Sequence, residues 1–363
     1  MKNMVRIILC LVLFASVTIL SHAQQRPFRT PGMQDTLLHK NYRPKSIFVV
    51  PQTEVLRAKY PAIDMHMHTP RGEDLDAVAR ELLARKDEVG VEKTILFAGT
   101  GELFERNMAA FGKYPDRFEL WCGLDLSGYD QPGFADRVIA DLERYVALGA
   151  RGVGEVHDKG AGLRGTSMHS NDPRMDPVFK RMAELGLPIN LHIGDPVWMY
   201  EPMDIHNDLL WEAYHFRLDN QDVLHLDDMI GILEETLQKH PDLIIIAPHF
   251  ANLTYDLARL GRLFDKYPNF YADVSQREAY VATIPRFARD FIENYADRLL
   301  WGTDQGFSLN MYRTSFRIWE TLDDHFYAWD VSNSPWVLNG LGLSDDTLRK
   351  MYRDNALRIL HRK

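Results

Sequence analysis

From Ala62 onward the chain alternates short, almost continuous apolar runs with stretches whose apolar residues recur every three or four positions. The apolar runs are Ala62–His66, Lys93–Ala98, Phe118–Leu124, Gly152–Val156, Pro188–His192, Leu243–Ala247, Asn269–Val274 and Arg298–Gly302. Runs of this length and character fit strands that are covered on both faces. Between them, Leu75–Lys86 places Leu75, Val78, Ala79, Leu82 and Leu83 along one side of a helix. Phe134–Leu148, Pro177–Leu185, Met229–Lys239, Leu257–Lys266, Pro285–Tyr295 and Tyr312–Leu322 repeat the pattern. Strand–helix alternation predicts an α/β fold with a parallel sheet. Eight units in one length suit a closed (β/α)8 TIM barrel; an open doubly wound sheet is the alternative.

The chain before Ala62 reads differently. Lys2 and Arg6 precede an apolar run, Ile7 to Leu20, and Ser21-His22-Ala23 follows with small residues at its first and third positions. This is the form of a cleaved export signal over residues 1–23. The run is shorter than the roughly 20 residues of a spanning helix, although an uncleaved anchor is the competing reading. An exported protein, periplasmic or secreted, with no membrane attachment after cleavage is therefore expected. Residues 24–58 carry Pro27, Pro31, Pro44 and Pro51 and little periodicity. They are expected to form an arm, with a short strand at Ser46 to Val50, ahead of a barrel domain over 59–363.

Charge and cysteine content narrow the functions. The net charge of −9 becomes −11 once Lys2 and Arg6 leave with the signal, which takes no acid. Such a surface disfavours nucleic acid and anionic lipid as partners. Only Cys122 would remain, so an intramolecular disulfide is excluded. A homo-oligomer stays open.

Candidate chemistry sits at the ends of the apolar runs. The first ends Ile63-Asp64-Met65-His66-Met67-His68, and strand alternation puts His66 and His68 on one face. Two imidazoles so placed can reach one cation at about 2 Å from each nitrogen. An isolated H-x-H would more often be a pair of hydrogen-bonded core histidines. Here, however, the fourth run ends at Glu155, the fifth at His192, the sixth leads to His249 and the eighth to Asp304. Six metal-capable groups at the carboxyl ends of strands stand where barrel active sites lie. Burying them without a metal or partners would be costly.

This arrangement resembles the amidohydrolase superfamily, and within it the amidohydrolase-related branch that includes aminocarboxymuconate-semialdehyde decarboxylase. The resemblance spans roughly Ala62 to Leu360. It rests on Ile63 to His68, His192, Pro248-His249, Tyr267-Pro-Asn-Phe-Tyr-Ala-Asp273, Trp301-Gly-Thr-Asp304 and the closing Asn355-Ala-Leu-Arg-Ile-Leu360. It implies that His66, His68 and Asp304 bind a first metal and that His192 binds this ion or a second. It implies that His249 is a second-metal ligand or a catalytic acid/base, and that Asp304 can take the proton of an attacking water. Glu155 stands where some relatives carry a carboxylated lysine, and a glutamate here resembles relatives in which a carboxylate bridges two ions. One or two ions thus remain open. His157 shares strand parity with Glu155 and is read as a partner of the ligands.

A mixed imidazole and carboxylate set suits zinc best, with manganese, iron or nickel as alternatives. Bound water near pKa 7 would be the nucleophile. The expected activity is hydrolysis of a small amide, lactone or ester. The alternative is nonoxidative decarboxylation of an aromatic or enoic acid, and a non-catalytic binding protein on the same barrel is the remaining class. Trp198 and Tyr200, in a long aromatic segment after the fifth run, are expected to wall the substrate. Arg277, two residues past Ser275, is expected to grip a substrate carboxylate if strand alternation persists to it.

Overall fold

The computed structural model describes residues 36–208, 222–306, 308–329, 331–332 and 334–361. The expected signal over residues 1–23 lies outside these, as does the amphipathic stretch Leu209 to Phe216. Among the described residues no helix is long and apolar enough to cross a membrane. The chain divides into two compact units, residues 1–43 and 44–363. In the first, His39–Asn41 forms one 3-10 turn.

The second unit holds eight strands, one for each apolar run. In chain order they alternate with helices as β1 (Ala62–His68), α1 (Leu75–Val89), β2 (Val91–Phe97), α2 (Gly101–Phe111), β3 (Phe118–Trp121), α3 (Phe134–Leu148) and β4 (Val153–Asp158). Then follow α4 (Asp176–Glu184), β5 (Ile189–Ile193), α5 (Leu226–Lys239), β6 (Ile245–Ala247), α6 (Leu257–Lys266) and β7 (Phe270–Asp273). The chain closes through α7 (Glu278–Val281), α8 (Pro285–Asn294), β8 (Leu299–Leu300), α9 (Leu309–Glu320), α10 (Asp345–Arg349) and α11 (Asn355–Leu360).

All strand pairs are parallel, in the orders β1-β2-β3 and β4 through β8. A parallel bridge from Cys122 to Val153 joins β3 to β4. Met65 N–H donates to the Trp301 carbonyl at 3.0 Å, and Asp304 N–H to that of His66 at 2.7 Å, which joins β8 to β1. This closes the barrel. Gly302 permits the closure, because a Cβ there would lie 2.8 Å from that of His66.

Two apolar layers result. Inside the barrel, Ile63, Met65, Ile95, Phe97, Trp121, Ile244, Ile246, Tyr271 and Leu300 pack together, with Leu357 and Leu360 of α11 against them. Outside, alternate strand residues such as Met67, Leu96, Val153 and Leu191 pack under the helices. Each strand is therefore apolar on both sides, which is why the runs read as continuous.

Residues 44–58 belong to the barrel unit, where Thr53 N–H and Oγ1 donate to the Asp323 carboxylate at 2.6 and 2.7 Å. Ser46 to Val50 is not a strand. Its Ser46 hydroxyl meets His325 Nδ1 at 3.0 Å, so side-chain contacts rather than a sheet edge hold it.

Candidate metal centre

Simple alternation would not bring the six groups together. On β1, Ile63 and Met65 belong to the inner layer and Met67 to the outer one. The change of phase falls where pairing with β2 shifts register, between Asp64 and Met67. Asp64 therefore faces outward, where Lys86 Nζ donates to it at 2.9 Å, whereas His66 and His68 both turn inward. β4 repeats the device. Its register shifts between Val153 and Val156, both of the outer layer, and Glu155 and His157 project inside. An extra residue in a strand re-aims the side chains that follow, a common feature beside active sites.

The other groups arrive on tight turns. His249 to Asn252, after β6, all have φ between 53° and 62°, and Asp304, after β8, has φ 49°. Left-handed backbone without glycine costs about 1 kcal/mol or more per residue and clusters at functional sites. Asp304 is pinned by its N–H to His66 and by Gln276 Nε2, which donates to both its carbonyl and Oδ2 at 2.7 Å.

The donor atoms converge. His66 Nε2 lies 3.3 Å from Asp304 Oδ1 and 3.7 Å from Glu155 Oε1. His68 Nε2 lies 3.0 Å from Glu155 Oε2 and 3.3 Å from Asp304 Oδ1. His249 Nε2 lies 3.6 Å from Asp304 Oδ2, and His192 Nδ1 2.5 Å from Glu155 Oε1. His157 Nε2, 2.8 Å from Glu155 Oε2, completes a group with Glu155 and His192. Among the described residues, Glu155 thus stands in two of the three groups that can hold a metal ion, His66 and Asp304 sharing the third with His249.

Electrostatics and hydrogen bonding show what such a cluster needs. Burial opposes charge on His66, but Asp273, Asp304 and Glu155 hold its imidazole well above its ordinary value. Against the same burial, carboxylate partners carry His68 and His192 each up to about 9. Glu155 and Asp304 are held well below the usual range by the facing imidazoles, although burial works the other way. His249 differs: burial, Arg277 and His192 push it down to about 3. Neutral, it donates Nδ1–H to the Ser275 carbonyl at 2.8 Å and turns a lone pair on Nε2 to the cluster.

Two buried nitrogens, His66 Nε2 and His192 Nε2, have no hydrogen-bond partner. A tetrahedral ion at about 2.0–2.2 Å from each donor needs donors roughly 3.3–3.6 Å apart, close to the spacings around His66. The residues fit a divalent cation, which would replace the protons that the imidazoles otherwise hold.

The sequence model of the amidohydrolase family matches residues 63–362. The chain belongs to this family. The amidohydrolase shares its fold with an uncharacterized TIM-barrel protein from Bordetella bronchiseptica, with a TM-score of 0.52 and 18% identity over 82% of this chain and 98% of that one. 2,6-Dihydroxybenzoate decarboxylase from Rhizobium is similar as well, with a TM-score of 0.51 and 21% identity over 83% and 98%. So is IDCase of Metarhizium anisopliae, with a TM-score of 0.50 and 14% identity over 83% and 97%. No curated protein matches the chain.

The expected substrate residues of this amidohydrolase lie apart from the cavity beside the cluster. That cavity, of about 420 Å3, is walled by Phe97, Leu103, Leu124 and Leu126, with His68, Glu155 and His157 at its metal end. Tyr200 is buried elsewhere: its hydroxyl accepts from Asp195 N–H at 3.0 Å and donates to the Lys159 carbonyl. Trp198 stacks with Tyr280 and Trp336, centroids 5.8 and 6.3 Å away. Arg277 is not on β7 but begins α7, because strand pairing ends at Asp273. Its guanidinium is buried, donating to Asn252 Oδ1 at 2.8 Å and lying over the Tyr280 ring.

Two groups of the site escape a reading of strand ends for ligands. Asp273 lies 2.9 Å from His66 Nδ1 and accepts from Asn190 and Ser275, so it fixes the ring that presents Nε2. Its place at the end of β7 was the available signal. His157, taken as a partner, stands as close to Glu155 as the expected ligands do.

Proposed function

We propose that this amidohydrolase is a metal-dependent, nonoxidative decarboxylase of a small aromatic or enoic acid. The observation that carries this is the cavity itself, where the apolar side chains of Phe97, Leu103, Leu124 and Leu126 share the lining with His68 and Glu155. Such a lining suits a small hydrocarbon frame that carries a polar group. The solved 2,6-dihydroxybenzoate decarboxylase that binds 2,6-dihydroxybenzoate, 20% identical over 83% of this chain with a TM-score of 0.51, supports a substrate of this kind.

In this reading His66, His68, Glu155, His249 and Asp304 would hold the ion, with His192 and His157 beside Glu155. Bound there, it would supply positive charge toward the acid and its neighbouring oxygen. The chain's own residues do the rest. The apolar wall orients the frame and excludes water, so that the bond from the frame carbon to its carboxylate breaks and its electron pair stays on carbon. Asp304, between His68 Nε2 at 3.3 Å and His249 Nε2 at 3.6 Å, takes up a proton from water and relays it to that carbon, where it replaces carbon dioxide. Zinc, with manganese as the next choice, fits the donor set. Export of the mature chain, argued from residues 1–23, belongs to the same proposal.

Hydrolysis of a small amide, lactone or ester is the second reading. It is favoured by Glu155, whose two oxygens face different histidines, Oε1 toward His192 and Oε2 toward His68 and His157, as a carboxylate between two ions would. One experiment separates the two. Zinc- or manganese-loaded protein is given hydroxybenzoates, enoic acids and small amides, lactones and esters in deuterated, oxygen-18 water. Decarboxylation releases carbon dioxide and leaves a C–D bond without oxygen-18 in the product. Oxygen-18 in the product of an amide, lactone or ester, with no acid decarboxylated, overturns the proposal in favour of hydrolysis.

A further inference from the structure

The cavity beside the metal centre has two cationic residues that the site described so far does not use. Arg71 follows β1, three residues beyond His68, and Arg164 lies in the loop after β4; both line the cavity. Each loop is anchored. Arg106 donates to the Gly72 carbonyl at 2.5 Å, and Arg164 N–H donates to the His157 carbonyl at 2.9 Å. Both arginines are exposed and line the cavity that His68, Glu155 and His157 also line.

Several of the protein's arginines are neutralised by neighbouring acids. Arg117, Arg144, Arg181, Arg313 and Arg353 each pair with a carboxylate. Among the described residues Arg71 and Arg164 pair with none. The sole acid among the cavity's lining residues is Glu155, which faces the imidazoles. In a chain of net charge −9, two unpaired guanidinium groups around one small cavity make a local positive field. Guanidinium matches carboxylate geometry with two parallel hydrogen bonds.

We propose that this cavity selects a dicarboxylate. One carboxylate lies at the metal end, Phe97, Leu103, Leu124 and Leu126 hold the frame, and Arg71 with Arg164 reads the second carboxylate. This names the substrate class for the organic-acid site proposed above and rests on that reading. Arg71 and Arg164 are specificity residues rather than catalytic ones, since they meet the end of the substrate that does not react.

The test is calorimetric. Benzoate and benzene-1,3-dicarboxylate are titrated into zinc-loaded protein at fixed ionic strength, for the wild type, Arg71→Met, Arg164→Met and the double variant. The dicarboxylate should bind roughly tenfold more tightly than benzoate, the scale of a charge-assisted pair in partly exposed surroundings. The ratio should fall to near one in the double variant, with benzoate affinity and zinc content unchanged; Arg164→Lys should keep part of it. Equal affinity of the two probes for the wild type, no dicarboxylate binding at millimolar concentration, or a preference that survives in the double variant overturns the proposal. A Met-sensitive preference without carbon dioxide release from any acid would sink the decarboxylase reading alone. Carbon dioxide release from monoacids without a preference would sink this inference alone.

Discussion

Ile63 and His66 stand three residues apart on β1, both closed off from solvent, yet their surroundings follow different physics. The lower interior around Ile63, Ile95, Ile244, Ile246 and Leu300 is apolar and is closed by Leu357 and Leu360. It needs nothing from outside, because burial of apolar surface is favourable by itself. The upper interior holds His66, Glu155, His192, His249 and Asp304, leaves two imidazole nitrogens without a hydrogen bond, and gathers carboxylates kept ionised by the facing histidines. Such a cluster is costly on its own and becomes favourable with a divalent cation. One end of the barrel stabilises the fold. The other end is poised for a ligand.

Four substitutions break or sharpen this contrast. The largest effect is expected from His66→Ala, which removes a donor common to two of the three candidate groups. Zinc affinity, measured by competition with a chelator, should drop more than about 100-fold, beyond the range for groups that only orient a ligand. Undiminished affinity would remove His66 from the site. Ile95→Ala, in the apolar end, should cost about 2–5 kcal/mol in denaturant unfolding and leave zinc affinity alone. Coupling of the two readouts would show the ends to be one unit.

Asp273→Asn keeps the size of the group that holds His66 Nδ1 but removes its charge. Zinc affinity should fall roughly 10- to 100-fold, with the apo protein still folded by circular dichroism. The smallest effect concerns Glu278, a buried carboxyl with no place in the cluster, which burial pushes up to about 7. The folded state keeps this proton up to about pH 7, whereas the unfolded chain releases it near 4.5. Stability is therefore lost as pH rises through that window. Glu278→Gln should flatten this slope and raise unfolding free energy at pH 8 by about 1–2 kcal/mol, with little change at pH 4.5. An unaltered slope would show that Glu278 is not the titrating group.

Much of the fold was legible in the pattern. All eight apolar runs contain strands, and Phe134–Leu148 and Leu257–Lys266 are helices with the expected bounds, because their buried faces are apolar without interruption. Helix α2 was not foreseen. Its buried stripe of Phe104, Asn107, Ala110 and Phe111 includes an asparagine, whose Nδ2 donates to the Ala98 carbonyl and Thr69 Oγ1. A hydrogen-bonded core residue reads as polar in sequence. Arg277 misled for a related reason: alternation was carried past Asp273, where the strand had ended.

The candidate site was legible as a set of strand ends but not as a geometry. His66, His68, Glu155, His192, His249 and Asp304 share that placement, and the structure gathers them within a few ångströms. The orienting part of Asp273 and the closeness of His157 to Glu155 depend on contacts between residues far apart in the chain, 207 positions in the case of His66 and Asp273.

The order of apolar and polar residues determined the strands, the helices and a parallel α/β sheet, since local periodicity decides which faces must be buried; closure into a barrel was left to the tertiary structure. That order also named the donors, because few residue types bind a cation. The tertiary structure decided their aim. Register shifts in β1 and β4 and left-handed turns after β6 and β8 set which way each side chain points. Those features arise from how neighbouring strands pair and close, and no window of sequence contains both partners.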